Sequence, residues 1–436
     1  MAFLFPSLTQ PLKGEVHVPG DKSISHRAIM LSALAKGTTR ISNFLDGEDC
    51  LHTISIFKQL GVSIEQQGTK VLVTSDGFSS FQEPLVPLYF GNSGTTARLM
   101  LGILCNLPFH TVLYGDPYLT VRPMDRVVIP LRKMGAQIDG RKKGSYLPLA
   151  IRGSSLQGIT YDIPVKSAQV KSAILLAGLL AEGKTVVTEL TKTRDHTENM
   201  LDAFGANIIV EGNKITISND GPLTPVDIVV PGDISSAAFF LVAAAIVPNS
   251  EIILRNVGLN ETRTGIIDVL QSMGADLTIV NKRASGGEPV GDIIIRYKEL
   301  EGTEIDGDLI PRLIDEIPII ALLATQAKGK TIISNAEELR VKETDRIKAV
   351  VEVLSTLGAT IEEKEDGMII YGKKQLKGGD VKSYNDHRMA MLGAIASLVC
   401  TEQVTIDDVS SINISYPTFF EHISSLTGLN YESLSI

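Results

Sequence analysis

Asp21, Lys22, Ser23, Ser25, His26 and Arg27 crowd together directly ahead of an apolar run, AIMLSALA. Lys22, Ser23 and Arg27 are thereby expected at the start of a helix. Cations there oppose the helix dipole and cost stability unless an anion is bound. A breach of local rules of this kind marks a functional site. Gly91-Asn92-Ser93-Gly94-Thr95-Thr96-Ala97-Arg98 is a glycine-rich loop running into a second apolar helix, where Gly94 lets backbone amides approach an anion. The string is neither GxGxxG nor a Walker A loop, so it implies no nucleotide. Arg122-Pro123 reads as a helix opening with proline at its first position. Arginine suits bidentate recognition of carboxylate or phosphate. Ser167, Ala168 and Gln169 head a third apolar helix, with Lys171 behind them; capping explains Ser167 but not Gln169.

The second half of the chain repeats the theme. Lys342 and Arg346 are spaced to share one helix face at i, i+4, where like charges repel unless an anion lies between them. A solvated charged helix would explain the same run. Asp315-Glu316 heads another apolar helix, IDEIPIIALLA, where dipole-favoured capping is an equally good account. Asp386-His387-Arg388 again sets a cation at the start of an apolar stretch. Basic residues therefore come from both halves: Lys22, Arg27 and Arg122 from the first, Lys342, Arg346 and Arg388 from the second. With a few carboxylates among them, they suit phosphorylated or carboxylated substrates and acid–base chemistry. No metal cage and no nucleophilic cysteine can be read, so neither metal nor cofactor is expected.

Elements that could position these groups recur through the whole chain. Six apolar helices, each with a polar cluster at its N-terminus, are expected to begin near Asp21, Gly91, Lys166, Gly232, Pro311 and Tyr384. A turn and a strand follow each, then an amphipathic helix ending at Gly61, Gly135, Gly205, Gly274, Gly358 or, more weakly, Gly428. These glycines lie about 70–84 residues apart, the mark of a repeated supersecondary unit. Each reads as a helix-terminating residue that needs positive φ, and a return strand follows it. The expected unit is βαβαββ, with one helix apolar all round and hence buried. An ordinary doubly wound sheet would instead have amphipathic first helices. Six units with helices inside and sheets outside suggest two lobes of three. Parallel helices within a lobe would bring their N-termini together, a ready site for anionic small molecules in a cleft between lobes.

Composition narrows the field. At 436 residues the chain exceeds one hydrophobic core. Its net charge of −9 lacks the basic footprint of a nucleic-acid binder. Cys50, Cys105 and Cys400 have no metal-like spacing and suggest a reducing compartment. The opening residues are too short for a signal segment, and no apolar run reaches the ~18 residues of a membrane span. A cytoplasmic protein without nucleic-acid or membrane partners is expected.

DKSISHR, GNSGTTAR, RPMDR, KSAQVKSA, LRVKETDR and NDHRMAM, in this order, resemble the enolpyruvyl transferase family, in the branch that acts on shikimate 3-phosphate. The resemblance covers nearly the whole chain. It implies an α/β fold, the inside-out α/β barrel, with two lobes each of three βαβαββ units. It also implies that residues 1–20 pack with 231–436 while 21–230 form the other lobe. The implied reaction joins phosphoenolpyruvate to shikimate 3-phosphate with loss of phosphate. Lys22, Ser23, Arg27, Ser167, Ala168 (through its backbone), Gln169 and Lys342 would contact shikimate 3-phosphate. Lys22, Gly94, Arg122, Gln169, Arg346 and Arg388 would contact phosphoenolpyruvate. Asp315 looks like the base for the 5-hydroxyl, Glu343 like the acid and base at the methylene carbon, and Lys22 like an aid to phosphate departure. A second branch of the family uses a UDP-aminosugar and resembles a Cys-x-x-Gly-x-Arg-Pro loop. Here Pro117 occupies the cysteine position in DPYLTVRP, which argues for the shikimate branch. The SAQVK, Arg194-Asp195-His196-Thr197-Glu198 and Asn260-Glu261-Thr262-Arg263 strings resemble the subgroup tolerant of glyphosate. A monomer is expected. A binding protein without catalysis would have no use for Asp315 and Glu343 opposite the cations.

Overall fold

The computed structural model describes residues 3–6, 10–285 and 287–431. Among them, helices of at least eight residues alternate in kind along the chain. In order they are α1 (Lys22–Leu34), α2 (Glu48–Gln59), α3 (Gly94–Leu104), α4 (Asp125–Lys133), α5 (Ala168–Leu180), α6 (His196–Ala203), α7 (Ile234–Ile246), α8 (Gly265–Ser272), α9 (Ile317–Gln326), α10 (Arg346–Thr356), α11 (His387–Ser397) and α12 (Phe419–Thr427). The odd-numbered helices are the apolar ones, and they are buried nearly all round; every residue of α7 is buried. Even-numbered helices bury one face, as α2 does with Cys50, Thr53, Ile54, Ile56 and Phe57. An all-apolar helix has no face to give to water, so sheets and neighbouring helices together must cover it on every side. Each fully buried Leu, Ile or Phe contributes roughly 1.5–3 kcal/mol to that arrangement.

The glycines that end the even-numbered helices all adopt positive φ: +88° at Gly61, +102° at Gly135, +79° at Gly205, +85° at Gly274, +94° at Gly358 and +69° at Gly428. A side chain would be strained at each, which is why the repeat is punctuated by glycine.

The chain divides into two compact units. One comprises Gly20–Val230 with Ala284–Glu288; the other comprises Met1–Pro19, Pro231–Arg283 and Pro289–Ile436. These bounds differ from 21–230 in taking in Gly20 and the short segment 284–288.

In the first unit three four-stranded sheets enclose α1, α3 and α5. Leu88–Tyr89 pairs parallel with His110–Tyr114, and Tyr146–Arg152 and Gln137–Gly140 continue antiparallel. Thr160–Asp162, Lys184–Thr188, Lys214–Ser218 and Asn207–Glu211 form the same pattern. These are βαβαββ units as expected. The sheet after α1 takes its parallel strand from the far end of the unit, Ile228–Val229 beside Lys36–Ser42.

In the second unit the reciprocal substitution occurs. Lys13–Val16 supplies the parallel strand beside Glu251–Gly258, in register Glu251 with Lys13. A second four-stranded sheet is Glu304–Ile305, Lys330–Ile333, Gly367–Tyr371 and Thr360–Lys364. The sixth repeat departs from the expected pattern. Its sheet has three strands, Gly379–Val381, Val404–Ile406 and, antiparallel to the latter, Phe3–Phe5. α12 follows in the usual place, and the N-terminal strand Phe3–Phe5 takes the position beside Val404–Ile406 that a return strand holds in the other sheets, covering that edge.

Candidate active site

In the first unit the N-termini of α1, α3 and α5 are tied to one another by side chains. Asp21 caps α1, its Oδ1 accepting from the Ile24 amide at 2.9 Å. Lys22 opens the helix and pairs with Asp49 on α2. Arg27 lies one turn further in and is buried. Its guanidinium donates to Thr197 Oγ1 at 2.6 Å, Ser172 Oγ at 2.8 Å and the Ser23 carbonyl at 2.9 Å. Burial pushes Arg27 down to about 10, opposed by Glu198 and Asp21, so it stays charged at neutral pH. The cations expected to need an external anion thus have partners within the unit: a carboxylate for Lys22, hydroxyls and a carbonyl for Arg27.

Ser93 caps α3, accepting from the Thr96 amide at 3.2 Å. Arg122 reaches back to this loop, donating to Asn92 Oδ1 at 2.7 Å. Arg98 donates to Gln169 Oε1 at 2.6 Å, while Gln169 Nε2 donates to Thr95 at 3.0 Å, joining α3 to α5. A methyl group on Gly94 would lie 3.3 Å from both Arg98 Nη1 and Arg122 Nη1. The bare backbone keeps the space beside two guanidinium groups open. Two local expectations change. Pro123 precedes α4, whose cap is Met124, and the proline at a first helical position is Pro117 in the one-turn helix Pro117–Thr120. Ser167 stands at the cap of α5 without a capping hydrogen bond, followed by Ala168. Lys171 is fully buried and pairs with Glu189 at 2.8 Å and Glu198 at 2.6 Å; burial raises the Glu198 carboxyl against the pull of Lys171.

The second unit gathers carboxylates around arginines. Arg346 is buried at the start of α10. It donates from Nε to Asp386 Oδ2 at 2.7 Å, from Nη2 to Glu343 Oε2 at 2.7 Å and from Nη1 to Asp315 Oδ1 at 3.3 Å. Burial disfavours its charge, but Asp386, Glu343 and Asp315 outweigh that and shift it upward. Lys342 Nζ also meets Asp315 Oδ1 at 3.3 Å. Lys342 and Arg346 do not share a helix face. Lys342 is extended, and α10 begins only after Asp345, which caps the Lys348 amide. They converge on a carboxylate of the chain itself. The helix expected from Pro311 is likewise broken: Ile310–Leu313 makes one turn, Asp315 lies in the bend, and α9 starts at Ile317. Asp386 caps α11, accepting from the Arg388 amide at 2.9 Å. Arg388 Nη1 stands 3.9 Å from Glu316 Oε1, which also accepts from Ser235 at the head of α7. Arg263 donates to Ser235 at 2.7 Å and to Asp233 at 3.1 Å.

Asp49, Arg98, Asp386, Glu316, Ser235 and Arg263 thus belong to the constellations although pattern alone did not single them out as ligands. Arg98 had a signal, a cation inside an otherwise apolar helix. Asp49 had none, because only the fold brings it to Lys22.

His26 lies fully buried behind Lys22. Burial pushes its imidazole down to about 3; Asp49 and Asp21 oppose this, and Lys22 and Arg27 reinforce it. An unfolded imidazole takes its proton near pH 6.5, so the unfolded chain binds more protons below that pH. Stability is therefore unaffected above pH 6.5 and falls as the pH drops toward 3, by about 2 kcal/mol at pH 5. Urea unfolding at pH 7.5 and pH 5 should show this loss in the native chain and a clearly smaller one in His26→Asn, where His422, also held below its ordinary value by burial, still contributes. Equal losses in both would assign it to another group.

Among the described residues no His, Cys, Asp and Glu group is arranged to hold a metal ion, and no helix is long and apolar enough to cross a membrane.

A family model for EPSP synthase (3-phosphoshikimate 1-carboxyvinyltransferase) matches residues 7–423. The 3-phosphoshikimate 1-carboxyvinyltransferase of Oceanobacillus iheyensis is 59% identical over 425 residues, 97% of this chain and 99% of that protein. The enzyme of the same name from Bacillus subtilis is 57% identical over 419 residues, 96% of this chain and 98% of that protein. A solved structure of EPSP synthase from Acinetobacter baumannii superimposes with a TM-score of 0.90 at 45% identity, covering 98% of both chains. With three sheets around buried helices in each unit and motifs in matching order from end to end, the chain belongs to the EPSP synthase family.

Proposed function

We propose that the chain transfers the enolpyruvyl group of phosphoenolpyruvate to the 5-hydroxyl of shikimate 3-phosphate and releases phosphate. This is a step of the shikimate pathway toward chorismate and the aromatic amino acids. Family membership over nearly the whole chain carries this reading. The residue roles rest on the two constellations and on the resemblance of their motifs.

Shikimate 3-phosphate meets Lys22, Ser23, Arg27, Ser167, the Ala168 backbone, Gln169 and Lys342. Phosphoenolpyruvate meets Lys22, Gly94, Arg122, Gln169, Arg346 and Arg388. Asp315 takes the proton of the 5-hydroxyl as its oxygen attacks C2 of phosphoenolpyruvate, and Glu343 gives a proton to the methylene carbon. In the second half Glu343 takes a proton back from that carbon, the C2–O bond to phosphate breaks, and Lys22 supports the departing group. Negative charge moves among oxygens throughout. Fixed guanidinium groups and helix N-termini are suited to stabilising it because they need no reorganisation. The arginine contacts to Asp315 and Glu343 hold both carboxylates on defined oxygens.

Phosphate release from phosphoenolpyruvate tests this, with shikimate 3-phosphate and a UDP-aminosugar as alternative acceptors. Release with shikimate 3-phosphate alone is expected, and it should persist in low-micromolar glyphosate at saturating phosphoenolpyruvate. Release only with the UDP-aminosugar would overturn the Pro117 argument. Release with neither would make this a binding protein.

A further inference from the structure

A buried relay of hydroxyl groups runs behind the phosphate-facing residues of the first unit. It starts at the main-chain carbonyl of Asp49, the residue whose carboxylate pairs with Lys22. Thr53, one turn along α2 from Asp49, donates back to the Asp49 carbonyl at 3.4 Å. Thr53 Oγ1 also lies 2.8 Å from His26 Nδ1 on α1 and 2.9 Å from Thr96 Oγ1 on α3. Thr96 Oγ1 lies 2.7 Å from Ser93 Oγ, the cap that receives the Thr96 amide. His26, Thr53, Ser93 and Thr96 are all fully buried.

The proposed mechanism uses none of these four side chains, yet they connect two groups that it does use, Lys22 and the backbone at Gly94. Each is a fully buried polar group, where a lost hydrogen bond carries the full cost of an unsatisfied donor or acceptor. The ring at the centre is neutral because burial excludes its charge. Among the described residues its Nε2 has no hydrogen-bond partner, so the tautomer that keeps its proton on Nδ1, facing Thr53, leaves a bare lone pair rather than an orphaned donor. The relay therefore has a direction: His26 donates to Thr53, which leaves the Thr53 proton for Thr96 or the Asp49 carbonyl. Branched hydroxyl side chains have few rotamers, so the chain of contacts sets α1, α2 and α3 in one register.

We propose that Thr53, with His26 and Thr96, is a positioning residue that holds Lys22 and the Gly94 amide end of α3 in the relation needed to receive the phosphate-bearing substrate. The inference rests on the reaction proposed above. Its defect should appear in substrate capture rather than in the proton transfers, because Asp315 and Glu343 belong to the other unit.

Thr53→Val keeps the volume and removes the hydroxyl, whereas Thr53→Ser keeps the hydroxyl and removes a methyl. The KM for phosphoenolpyruvate should rise about tenfold in Thr53→Val, with kcat within about threefold, while Thr53→Ser stays within about twofold of the native chain. A relay that merely supports the fold would lower the stability of Thr53→Val, whose hydroxyl partners are stranded, and leave the KM of the folded enzyme near native. That outcome overturns the proposal. Should Thr53→Val not accumulate as folded protein, His26→Leu removes the ring contact while filling the space. A raised KM with preserved kcat is again expected, and an unchanged KM rejects the idea. Inactivity of the native chain toward both substrates would reject the reaction itself, a result distinguishable from all of these.

Discussion

Asp315→Asn is expected to lower turnover by roughly 10²- to 10⁴-fold, the loss typical of removing a positioned general base. The substitution preserves shape and keeps an oxygen that can accept from Lys342 or Arg346, but the amide cannot take a proton. Its effect should therefore fall on kcat, with much smaller change in the KM for either substrate. Asp315 lies in the bend between a one-turn helix and α9, outside both, so the change does not remove a helix cap. Steady-state phosphate release, with thermal unfolding measured alongside, checks the prediction. Turnover within tenfold of native would mean that another group accepts the 5-hydroxyl proton.

Arg346→Met should destabilise the second unit by about 3–5 kcal/mol, the usual consequence of removing one partner from a buried charge pair. Arg346 is 1% exposed and Asp386 is fully buried, so the stranded carboxylate has no water to replace the guanidinium. Asp386 would also lose the group that orients it as the cap of α11, the helix that carries Arg388. Arg346→Lys should recover only part of the loss. A point-like ammonium cannot reproduce contacts from Nε, Nη1 and Nη2 to three separate carboxylates. Urea unfolding of the three chains, following the transition of this unit, would decide. A loss below about 1 kcal/mol in Arg346→Met would show that solvent or a shifted side chain screens Asp386.

Both predictions concern residues whose types were legible in the chain but whose relations were not. The Lys342-to-Arg346 spacing suggested one helix face, yet Asp345 caps the helix between them and leaves Lys342 extended. Arg122-Pro123 suggested a helix start, yet the proline that opens a helix is Pro117. In each case several residues could begin the helix, and a local side-chain cap marks the one that does: Asp345 on the Lys348 amide and Asp116 on the Leu119 amide. Pairing was harder still. Nothing near Asp49 announces its bond to Lys22, because the two come together only when α2 packs against α1.

The sequence by itself determined the repeat, the kinds of helix and where each amphipathic helix stops. Those features follow from local chemistry: an all-apolar helix must be covered, and a chain leaving a helix with positive φ calls for glycine. Tertiary structure alone decided which strands complete which sheets. Lys13–Val16 and Ile228–Val229 serve sheets far from their own sequence neighbours, and Phe3–Phe5 closes the sixth repeat. Strand pairing is a property of edges left open after the helices pack, and a strand carries no mark of the edge it will meet. The same holds for the charged groups. Their positions along the chain announced anion chemistry, while the fold chose the partner of each cation, because burial leaves a charge only the neighbours that packing provides.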